Sequence, residues 1–265
     1  MQFSGKRVVI TGACGVHGSW IVEAFAREGA TLCLSDRRIK DVEALIERLK
    51  LPRATTLTHP TELTDEASVV DCARMVEKAW GAADIVINNA GIYPRGLLLD
   101  LSAADWDRVM DVNVRAVFLM IREFARLMIA KKVKGNFATI SSGAARGMRN
   151  GSVPYCTSKT AVERLTKGFA LELAEYGIRA NVVEPGFATG SVVSPLTQGY
   201  ADRMLKKIPL ARQSGPNDTA NALLYICSDN AAYVTGAVLS VDGGNSIGTY
   251  EPGALGADDL RKTAP

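Results

Sequence analysis

Tyr155 and Lys159 are the two side chains whose types and spacing most clearly point to chemistry. Four residues apart, they lie one turn apart on the same face of a helix. A tyrosine titrates near pH 10, so its use as a base near neutrality requires a pKa lower by about 3 units, or about 4 kcal/mol. A lysine ammonium about 4 Å away supplies an interaction of that size at an effective dielectric constant near 20. The spacing is compatible with a proton-transfer pair, but Y-x-x-x-K alone occurs by chance in many proteins and does not establish one.

A glycine-rich segment, residues 11–18 (TGACGVHG), follows a short apolar run and precedes a helical pattern. Such a strand-to-helix turn lets the backbone approach a pyrophosphate, whose charge the helix N-terminus favours. Asp36 ends the next apolar run, 18 residues after Gly18 (36 − 18 = 18), and can accept hydrogen bonds from ribose hydroxyls. Each feature alone also has a local explanation, a tight turn and a turn-capping carboxylate. Together they favour a dinucleotide site.

Short apolar runs alternate with longer periodic segments along the chain. The runs read as strands buried on both faces of a parallel sheet, at residues 8–11, 31–35, 85–88, 137–141, 181–183 and 238–241. Helical patterns cover residues 19–28, 42–49, about 102–129 and about 155–176, and a capping box at Ser102 opens the third. This alternation predicts one α/β domain over residues 1–265, a Rossmann fold with a doubly wound parallel sheet of about seven strands flanked by helices. Residues 245–265 are expected to form a surface arm or a mobile tail.

Composition and charge narrow the function classes. The 265 residues are 47% hydrophobic and 22% charged with a net charge of +3, which gives no basis for nucleic-acid binding. The five cysteines form no CxxC pair, so neither a disulfide framework nor a zinc site is indicated, and no metal is expected. No signal-peptide core and no apolar run of about 18 residues occurs, so we expect a cytoplasmic protein without a membrane segment.

Further motifs, in order and at characteristic spacing, carry a family resemblance. They are Asn88-Asn-Ala-Gly91, Asn113, Ser142, Tyr155-x-x-x-Lys159, Pro185-Gly186 and Val241-Asp-Gly-Gly244. With Ser142 13 residues before Tyr155 (155 − 142 = 13), the chain resembles the short-chain dehydrogenase/reductase family from about residue 5 to residue 244. It is most similar to the compact single-domain branch of 3-oxoacyl-(acyl-carrier-protein) reductases and polyol or sugar dehydrogenases.

The resemblance implies an NAD(P)-dependent oxidoreductase that moves hydride between a nicotinamide cofactor and a secondary alcohol or ketone. In that role Tyr155 exchanges a proton with the substrate oxygen, which Ser142 holds by a hydrogen bond. Lys159 binds the nicotinamide ribose, and Asn113 anchors a water that links the lysine to solvent. The cofactor-binding residues implied are Gly12, Gly15, His17, Gly18, Asp36, Glu62, Leu63, Asn89, Tyr155, Lys159, Pro185, Gly186, Ala188 and Thr189.

The glycine-rich turn departs from the family's TGxxxGxG pattern. Val16 stands at the sixth place, where glycine is expected, Gly15 comes one position early, and His17 replaces an apolar residue. A β-branched side chain resists the positive φ that glycine permits, so either the turn takes another path through Gly15 or the pyrophosphate lies less close to it. His17 either donates to a phosphate or fills space beside the nicotinamide half. Thr189 comes one residue early, with Ser191 as the alternative contact.

The choice of cofactor depends on the end of the second strand. Asp36 favours NAD(H), since it would face a 2′-phosphate at about 5 Å with a repulsion of about 3 kcal/mol per charge pair at an effective dielectric constant near 20. Arg37 and Arg38 follow directly and would offset part of that repulsion, so NADP(H) stays open.

The substrate stays open among several classes. Substrate-facing positions by resemblance are Tyr93, Arg95, Arg146, Met148, Arg149, Phe187 and residues 192–210. The arginines suit an acidic or phosphorylated substrate, while Arg146 and Arg149 equally suit a subunit contact. Candidates are 3-oxoacyl thioesters, sugar acids, cyclic diols and steroid-like alcohols.

Two other functions compete with the oxidoreductase. One is a non-catalytic dinucleotide-binding sensor or scaffold, which Val16 motivates, and the other is an epimerase or dehydratase on the same fold. The intact Ser142, Tyr155 and Lys159 argue against the first, because a sensor needs no proton-transfer set. The resemblance also implies a homotetramer or homodimer, packed through the long helices that begin near Ser102 and Tyr155.

Overall fold

Seven parallel strands in one sheet organise the computed structural model, which describes residues 1–191, 197–248 and 250. The strands are β1 (Arg7–Thr11), β2 (Thr31–Ser35), β3 (Thr56–His59), β4 (Ile85–Asn88), β5 (Asn136–Ile140), β6 (Arg179–Pro185) and β7 (Val238–Val241). Their order across the sheet is β3-β2-β1-β4-β5-β6-β7. The predicted doubly wound parallel sheet is confirmed. The order reverses between β1 and β4, the place where such folds bind ligands.

Helices cover both faces of the sheet. They are α1 (Val16–Arg27), α2 (Ile39–Leu49), α3 (Glu66–Trp80), α4 (Ala103–Met110), α5 (Ala116–Ala130), α6 (Val153–Leu173), α7 (Gln198–Leu205) and α8 (Pro216–Cys227). Successive residues of β1 alternate between two cores: Val8 shares one with Phe25 of α1, and Val9 shares the other with Phe124 of α5. Helices α1, α2 and α8 build the first core, and α3, α5 and α6 build the second. Because both faces are covered, the strands read as continuous apolar runs.

The third strand was not predicted from an apolar run. Thr56–His59 is an edge strand whose four residues are all partly exposed, and its threonines replace the aliphatic residues of the inner strands. A short polar edge strand protects the sheet against pairing with another chain, but it removes the apolar signal that sequence reasoning needs.

The long helix expected over residues 102–129 is two helices joined by a π-helical segment, Asp111–Arg115. Ser102 caps the first of them as predicted, since its hydroxyl oxygen accepts a hydrogen bond from the Asp105 amide at 3.1 Å. Most of the expected C-terminal arm, residues 249 and 251–265, lies outside the described residues. Within the described ranges, no helix has the length and apolar character needed to cross a membrane.

Candidate active site

Two adjoining cavities lie at the carboxyl ends of the strands, at the reversal point of the sheet. We call them the glycine cavity and the tyrosine cavity. The glycine cavity is lined by the sequence-predicted residues Gly12, Gly15, His17, Gly18, Asp36, Glu62, Leu63 and Asn89. The tyrosine cavity is lined by Ser142, Tyr155, Lys159, Pro185, Gly186 and Ala188, and His17 and Asn89 border both. Of the predicted set, Asn113 and Thr189 line neither cavity.

The turn after β1 is held tightly by two glycines and an asparagine. Gly12 has a φ of +63°, and a Cβ there would lie 2.8 Å from the Cα of Ala90. A Cβ on Gly18 would lie 2.1 Å from the carbonyl oxygen of Gly12. The Asn89 amide donates hydrogen bonds to the carbonyls of Thr11 and Gly12, both at 3.0 Å. This close packing keeps the main chain of the turn bare beside the N-terminus of α1, where a phosphate is favoured.

Val16 does not disturb this turn, so the expected conflict with a positive φ is wrong. Gly15 caps α1 with φ −70° and ψ 169°, a backbone that any residue adopts. Val16 is the first residue of α1 and has no positive φ. The positive φ of the turn falls on Gly12 instead.

Asp36 follows β2 and reaches back to the glycine-rich turn. Its carboxylate accepts hydrogen bonds from the backbone amides of Cys14 at 3.1 Å and Arg38 at 3.0 Å. The Arg38 guanidinium lies 3.4 Å from Asp36 and 3.0 Å from Asp41. The Asp36 carboxylate therefore both caps its own turn and lines the glycine cavity.

His17 is an uncharged side chain at the junction of the two cavities. Burial lowers the pKa of His17 to about 4, so the ring is neutral near pH 7. Its Nδ1 is buried with no hydrogen-bond partner in the described part of the chain, and the ring meets Trp20 edge-on at 5.2 Å. A neutral ring leaves both sequence interpretations open, since it can donate one hydrogen bond as well as fill space.

Tyr155, Lys159 and Ser142 converge on the tyrosine cavity. Helix α6 places the first two one turn apart, and Ser142 lies just beyond β5, with its hydroxyl hydrogen-bonded to the Tyr155 phenol. The Lys159 ammonium donates to the carbonyl of Ile140 at 2.8 Å and lies 5.7 Å from the centroid of the Tyr155 ring. The hydroxyls of Ser142 and Tyr155 can therefore bind one substrate oxygen, with the Lys159 ammonium close to the Tyr155 ring.

The pKa values of this pair differ from the sequence expectation. Burial raises the pKa of Tyr155 to about 12, and the Ser142 hydrogen bond and the charge of Arg149 offset only part of that rise. Burial lowers the pKa of Lys159 to about 8, although the nearby Glu163 opposes the shift. Burial opposes the phenolate, so the pKa of Tyr155 in the protein alone lies above its ordinary value rather than in the lowered range that the sequence analysis expects.

Asn113 lies behind the cavity and ties three segments together. Its amide accepts from the backbone nitrogen of Ile92 at 2.9 Å and donates to the Ile92 carbonyl at 2.8 Å. The same amide nitrogen donates to the Ser158 hydroxyl at 3.0 Å. Both donors of the amide are therefore engaged, in a π-helical segment of the kind often found at functional sites.

In the segment at the end of β6, all of the predicted cofactor-binding residues except Thr189 line the tyrosine cavity. A Cβ on Gly186 would lie 3.0 Å from the carbonyl oxygen of Val241, so the chain passes close to β7. Thr189 is exposed and its hydroxyl donates to the Gln213 side chain at 3.0 Å, whereas Ser191 lines both cavities. The one-residue displacement of the threonine thus turns it away from the cavities, which corrects its predicted cofactor contact.

Two of the three predicted cleft arginines line the tyrosine cavity. Arg149 lies close enough to stabilise the Tyr155 phenolate, and Arg95 stacks 3.9 Å from the centroid of the Tyr200 ring. Arg146 does not line it, because it pairs at 2.6 Å with Glu184, whose side chain is completely buried. Met148 is 67% exposed and lies outside both cavities.

Sequence reasoning missed several lining residues. They include Ser35, Thr61, Ala90, Ile92, Arg108 and Val112 of the glycine cavity, and Gly143, Ser152, Asp242 and Asn245 of the tyrosine cavity. A signal existed for Asp242, which lies in the Val241-Asp-Gly-Gly244 motif directly after a strand. Ala90 likewise lies in the Asn88-Asn-Ala-Gly91 motif, and the others belong to no motif. Among the described residues, no group of three histidine, cysteine or acidic side chains could hold a metal ion.

A glycine-rich turn suited to a dinucleotide, beside a partly buried tyrosine and a buried lysine at the reversal point of a doubly wound sheet, is typical of an α/β oxidoreductase that uses a nicotinamide cofactor. Comparisons agree: the family model described as Enoyl-(Acyl carrier protein) reductase matches residues 15–246. The chain is 32% identical over 244 residues to the 3-oxoacyl-(acyl-carrier-protein) reductase of Thermotoga maritima, covering 92% of this chain and 99% of that one.

Solved structures extend the comparison. A short-chain type dehydrogenase/reductase from Mycobacterium marinum matches with a TM-score of 0.85 and 30% identity, over 93% of this chain and 97% of that one. A 7α-hydroxysteroid dehydrogenase complexed with NADH and 7-oxo glycochenodeoxycholic acid matches with a TM-score of 0.86 and 29% identity, over 94% and 97%. The chain belongs to the short-chain dehydrogenase/reductase family. It is an NAD(P)-dependent oxidoreductase acting on CH–OH groups, which confirms the sequence prediction.

Proposed function

We propose that Tyr155 is the general acid/base of the reaction, with Ser142 as the hydrogen-bond partner of the substrate oxygen. The convergence of Tyr155, Ser142 and Lys159 on one cavity carries this proposal. A carbonyl oxygen bound between the two hydroxyls receives a hydrogen bond from each, and takes the Tyr155 proton as negative charge develops on it. The nicotinamide, when bound, supplies or accepts the hydride.

Reduction is the direction that the protein's own groups favour near neutrality. With a pKa of about 12, Tyr155 carries its proton there and is ready to donate it to a carbonyl oxygen. Oxidation needs the phenolate, which the burial of the side chain disfavours. Lys159, one turn away, then returns a proton toward the phenolate, for which a pKa of about 8 is well matched.

The glycine cavity supports NAD(H) as the preferred cofactor. Its bare glycine turn at the N-terminus of α1 suits a pyrophosphate, and Asp36 suits an unmodified ribose. Arg38 already pairs with Asp36 and Asp41, and Arg37 lies 3.8 Å from Glu62. These carboxylates compete with a 2′-phosphate for both guanidinium groups, so the arginines offset little of the repulsion from Asp36.

Asn113 acts in this scheme as a positioning residue rather than as a catalytic one. Its amide fixes the Ile92 backbone and the Ser158 hydroxyl, and Ser158 in turn donates to the carbonyl of Tyr155 at 2.7 Å. The second lone pair of its side-chain oxygen remains for the water that would link Lys159 to solvent.

We further propose that the substrate carries an anionic group. Arg149 and Arg95 line the tyrosine cavity, and neither forms an ion pair within the described part of the chain. Tyr93, Phe187 and Met204 supply apolar surface beside them. An oxo acid with an apolar body therefore fits the lining, with its carboxylate on Arg149 and its carbonyl at Tyr155. The steroid dehydrogenase relative was solved with such an acid.

The cofactor proposal is tested by titrating the purified protein with NADH and with NADPH, followed by nicotinamide fluorescence. We expect NADH to bind about 10-fold or more tightly than NADPH, since even half of the Asp36 repulsion exceeds 1.4 kcal/mol. Tighter binding of NADPH would mean that Arg37 and Arg38, rather than Asp36, determine the cofactor preference. If neither cofactor bound at millimolar concentration, the glycine cavity would not be a dinucleotide site. A sensor or scaffold function would then require a different ligand.

The substrate proposal is tested by NADH oxidation with oxo acids and with their neutral amides. Arg149→Met should raise KM for the acid about 10-fold and leave KM for the amide unchanged, because a charged hydrogen bond contributes about 1.5–3 kcal/mol. Arg164→Met, an exposed arginine on α6, is the matched control. Equal effects on acid and amide would refute recognition of the anion.

We also propose a homo-oligomer, a tetramer or dimer, built from chains that each form one domain, and a cytoplasmic location. Phe118 of α5 and Leu171 of α6 are 37% and 81% exposed, which supports packing through the long helices. All five cysteines are free, which suits a reducing compartment. Size-exclusion chromatography with light scattering measures the assembly, and a monomer at micromolar concentration would refute it.

A further inference from the structure

Glu163 continues the catalytic face of α6 by one more turn. Tyr155, Lys159 and Glu163 follow at four-residue spacing, so they share one face of the helix. All three contact the same short segment, residues 140–142: Tyr155 the hydroxyl of Ser142, Lys159 the carbonyl of residue 140, and Glu163 the hydroxyl of residue 141, which donates to its carboxyl group at 2.6 Å. The helix thus grips the segment that carries Ser142 at three successive points.

A second carboxyl group meets Glu163 from the sheet. The side chain of Glu184 on β6 is completely buried and lies close enough to Glu163 for a hydrogen bond between the two carboxyl groups. Glu184 also accepts from the Arg146 guanidinium, at 3.2 Å from Nε and 2.6 Å from Nη2, and from the hydroxyl of Ser240 on β7.

The contacts determine which carboxyl group holds a proton. Two carboxylates at hydrogen-bond distance in a buried site do not both ionise. The Arg146 guanidinium donates two hydrogen bonds to Glu184 and none to Glu163, so a proton shared by the pair belongs on Glu163. Burial and the Glu184 carboxylate raise the pKa of Glu163, whereas the hydroxyl of Ser141 and the charge of Arg146 oppose that rise. The remaining charged neighbour is Lys159, on the same helix.

We propose that Glu163 is a positioning residue that works as an uncharged acid: it donates its proton to Glu184, accepts from the Ser141 hydroxyl, and so holds Ser142 and Lys159 in register. This inference rests on the proposed function of Tyr155 and Ser142. The neutral carboxyl group of Glu163 would then use its one donor on Glu184 and one of its acceptor sites on the Ser141 hydroxyl.

The uncharged state has a consequence for Lys159. An ionised Glu163 one turn away would stabilise the ammonium and raise the pKa of Lys159, so that the lysine would release its proton less readily. A neutral Glu163 does not oppose the lowering that burial causes, so the pKa of Lys159 stays well below its ordinary value and proton return to Tyr155 remains efficient. The acid pair therefore positions the segment without adding charge.

Kinetic variants separate positioning from charge. Glu163→Ala should lower kcat about 10-fold, because Ser141 loses its partner, while KM changes little. Glu163→Gln keeps one donor and one acceptor, so it should restore most of that loss and leave the alkaline limb of kcat within about 0.3 pH unit of wild type. Glu172→Gln, an exposed glutamate on the same helix, is the matched control. A downward shift of the limb by about 0.5 unit or more in Glu163→Gln would mean that Glu163 is charged, and full activity in Glu163→Ala would deny the positioning role.

Glu184→Gln tests the sharing of the proton by a readout that a merely structural role does not move. Without the Glu184 carboxylate, Glu163 should ionise beside Arg146, and the alkaline limb should shift upward by about 0.5 unit or more. A Glu163→Gln, Glu184→Gln double variant should remove that shift. An unchanged limb in folded Glu184→Gln would overturn the proposal.

Infrared difference spectroscopy examines the proton directly and needs neither cofactor nor turnover. At pH 7 the wild type minus Glu163→Gln spectrum should contain the carbonyl stretch of a protonated carboxylic acid, and the wild type minus Glu172→Gln spectrum should contain only carboxylate bands. Loss of a carboxylate band in the first spectrum would overturn the proposal even if Glu184→Gln did not fold. A protein with the acid band but no dehydrogenase activity would instead contradict the proposed function alone.

Discussion

A single methyl group on Gly18 should disable the cofactor site, while the same methyl group on Gly15 should not. The Cβ of Gly18→Ala would lie 2.1 Å from the Gly12 carbonyl oxygen, 2.9 Å from the Ala13 carbonyl oxygen and 2.9 Å from the Asn89 amide nitrogen. Ordinary contact for these atoms begins near 3.4 Å. The turn must therefore open by about 1 Å, and two of its neighbours are backbone atoms that cannot rotate away.

The size of the effect follows from the cost of overpacking. Forcing a methyl group into a closed site costs about 1–3 kcal/mol, and the rigid backbone puts Gly18→Ala at the upper end. If the turn opens only in the cofactor-free protein, that cost falls on binding and weakens NADH about 100-fold. In Gly15→Ala the Cβ lies 3.4 Å from the Gly12 carbonyl oxygen at a φ of −70°. Its cost is that of a helix N-cap alone, about 0.5 kcal/mol.

NADH titration by fluorescence, with thermal unfolding measured beside it, distinguishes the two variants. Gly18→Ala should lose cofactor affinity, stability or both, and Gly15→Ala should bind like the wild type to within about 3-fold. Equal losses of NADH affinity in both variants would mean that the cofactor also needs a glycine at position 15, one place before the glycine of the family pattern. Normal binding by Gly18→Ala would refute the geometry of the turn.

Three further predictions concern single side chains. Ketone reduction should be constant below about pH 7 and fall through pH 8, because the Lys159 ammonium, with a pKa of about 8, returns a proton to Tyr155 after each turnover. A rate that rises across pH 8 would contradict this. Asp36→Ala should tighten NADPH up to about 100-fold by removing about 3 kcal/mol of repulsion, and an unchanged ratio of the two Kd values would remove Asp36 from cofactor choice. Asn113→Ala should destabilise the protein by about 1–3 kcal/mol, because the Ile92 and Ser158 groups lose their partner, and an unchanged midpoint in urea would refute that.

The fold could be predicted because its signals are local. Six of the seven strands are apolar runs, five of them inside the sheet, and the helices between them keep their period. The Thr56–His59 strand was not predicted, because an edge strand can be polar and then gives no apolar run in the sequence. The division of the long helix at Asp111–Arg115 also escaped, because its cause is tertiary: Asn113 points inward to Ile92 and Ser158.

The placement of site residues could be predicted where a motif fixes both the residue type and its position. Ser142, Tyr155 and Lys159 meet in one cavity, as their spacing suggested. The place of Arg146 could not be predicted, because it depends on the ion pair with the buried Glu184. That partner lies 38 residues away in sequence. Likewise, Thr189 keeps the residue type of the family contact but is displaced by one residue.

The backbone geometry shows which glycines the turn after β1 requires, which the glycine pattern of the sequence could not. Val16 breaks the pattern, but the turn needs its positive φ at Gly12 and its close approach at Gly18. The pKa of Tyr155 was also beyond the sequence, since helical spacing predicts that Lys159 is near but says nothing of burial.

Turnover by Tyr155→Phe is the measurement that tests the central claim most directly. The variant keeps the ring and removes only the phenol oxygen, so NADH should bind within about 3-fold of wild type while kcat for ketone reduction falls by about 10²–10⁴, the contribution of a general acid. Intact NADH binding with turnover lost is the result that this account predicts. Turnover near that of the wild type would contradict the assignment of Tyr155 as the acid that protonates the substrate oxygen.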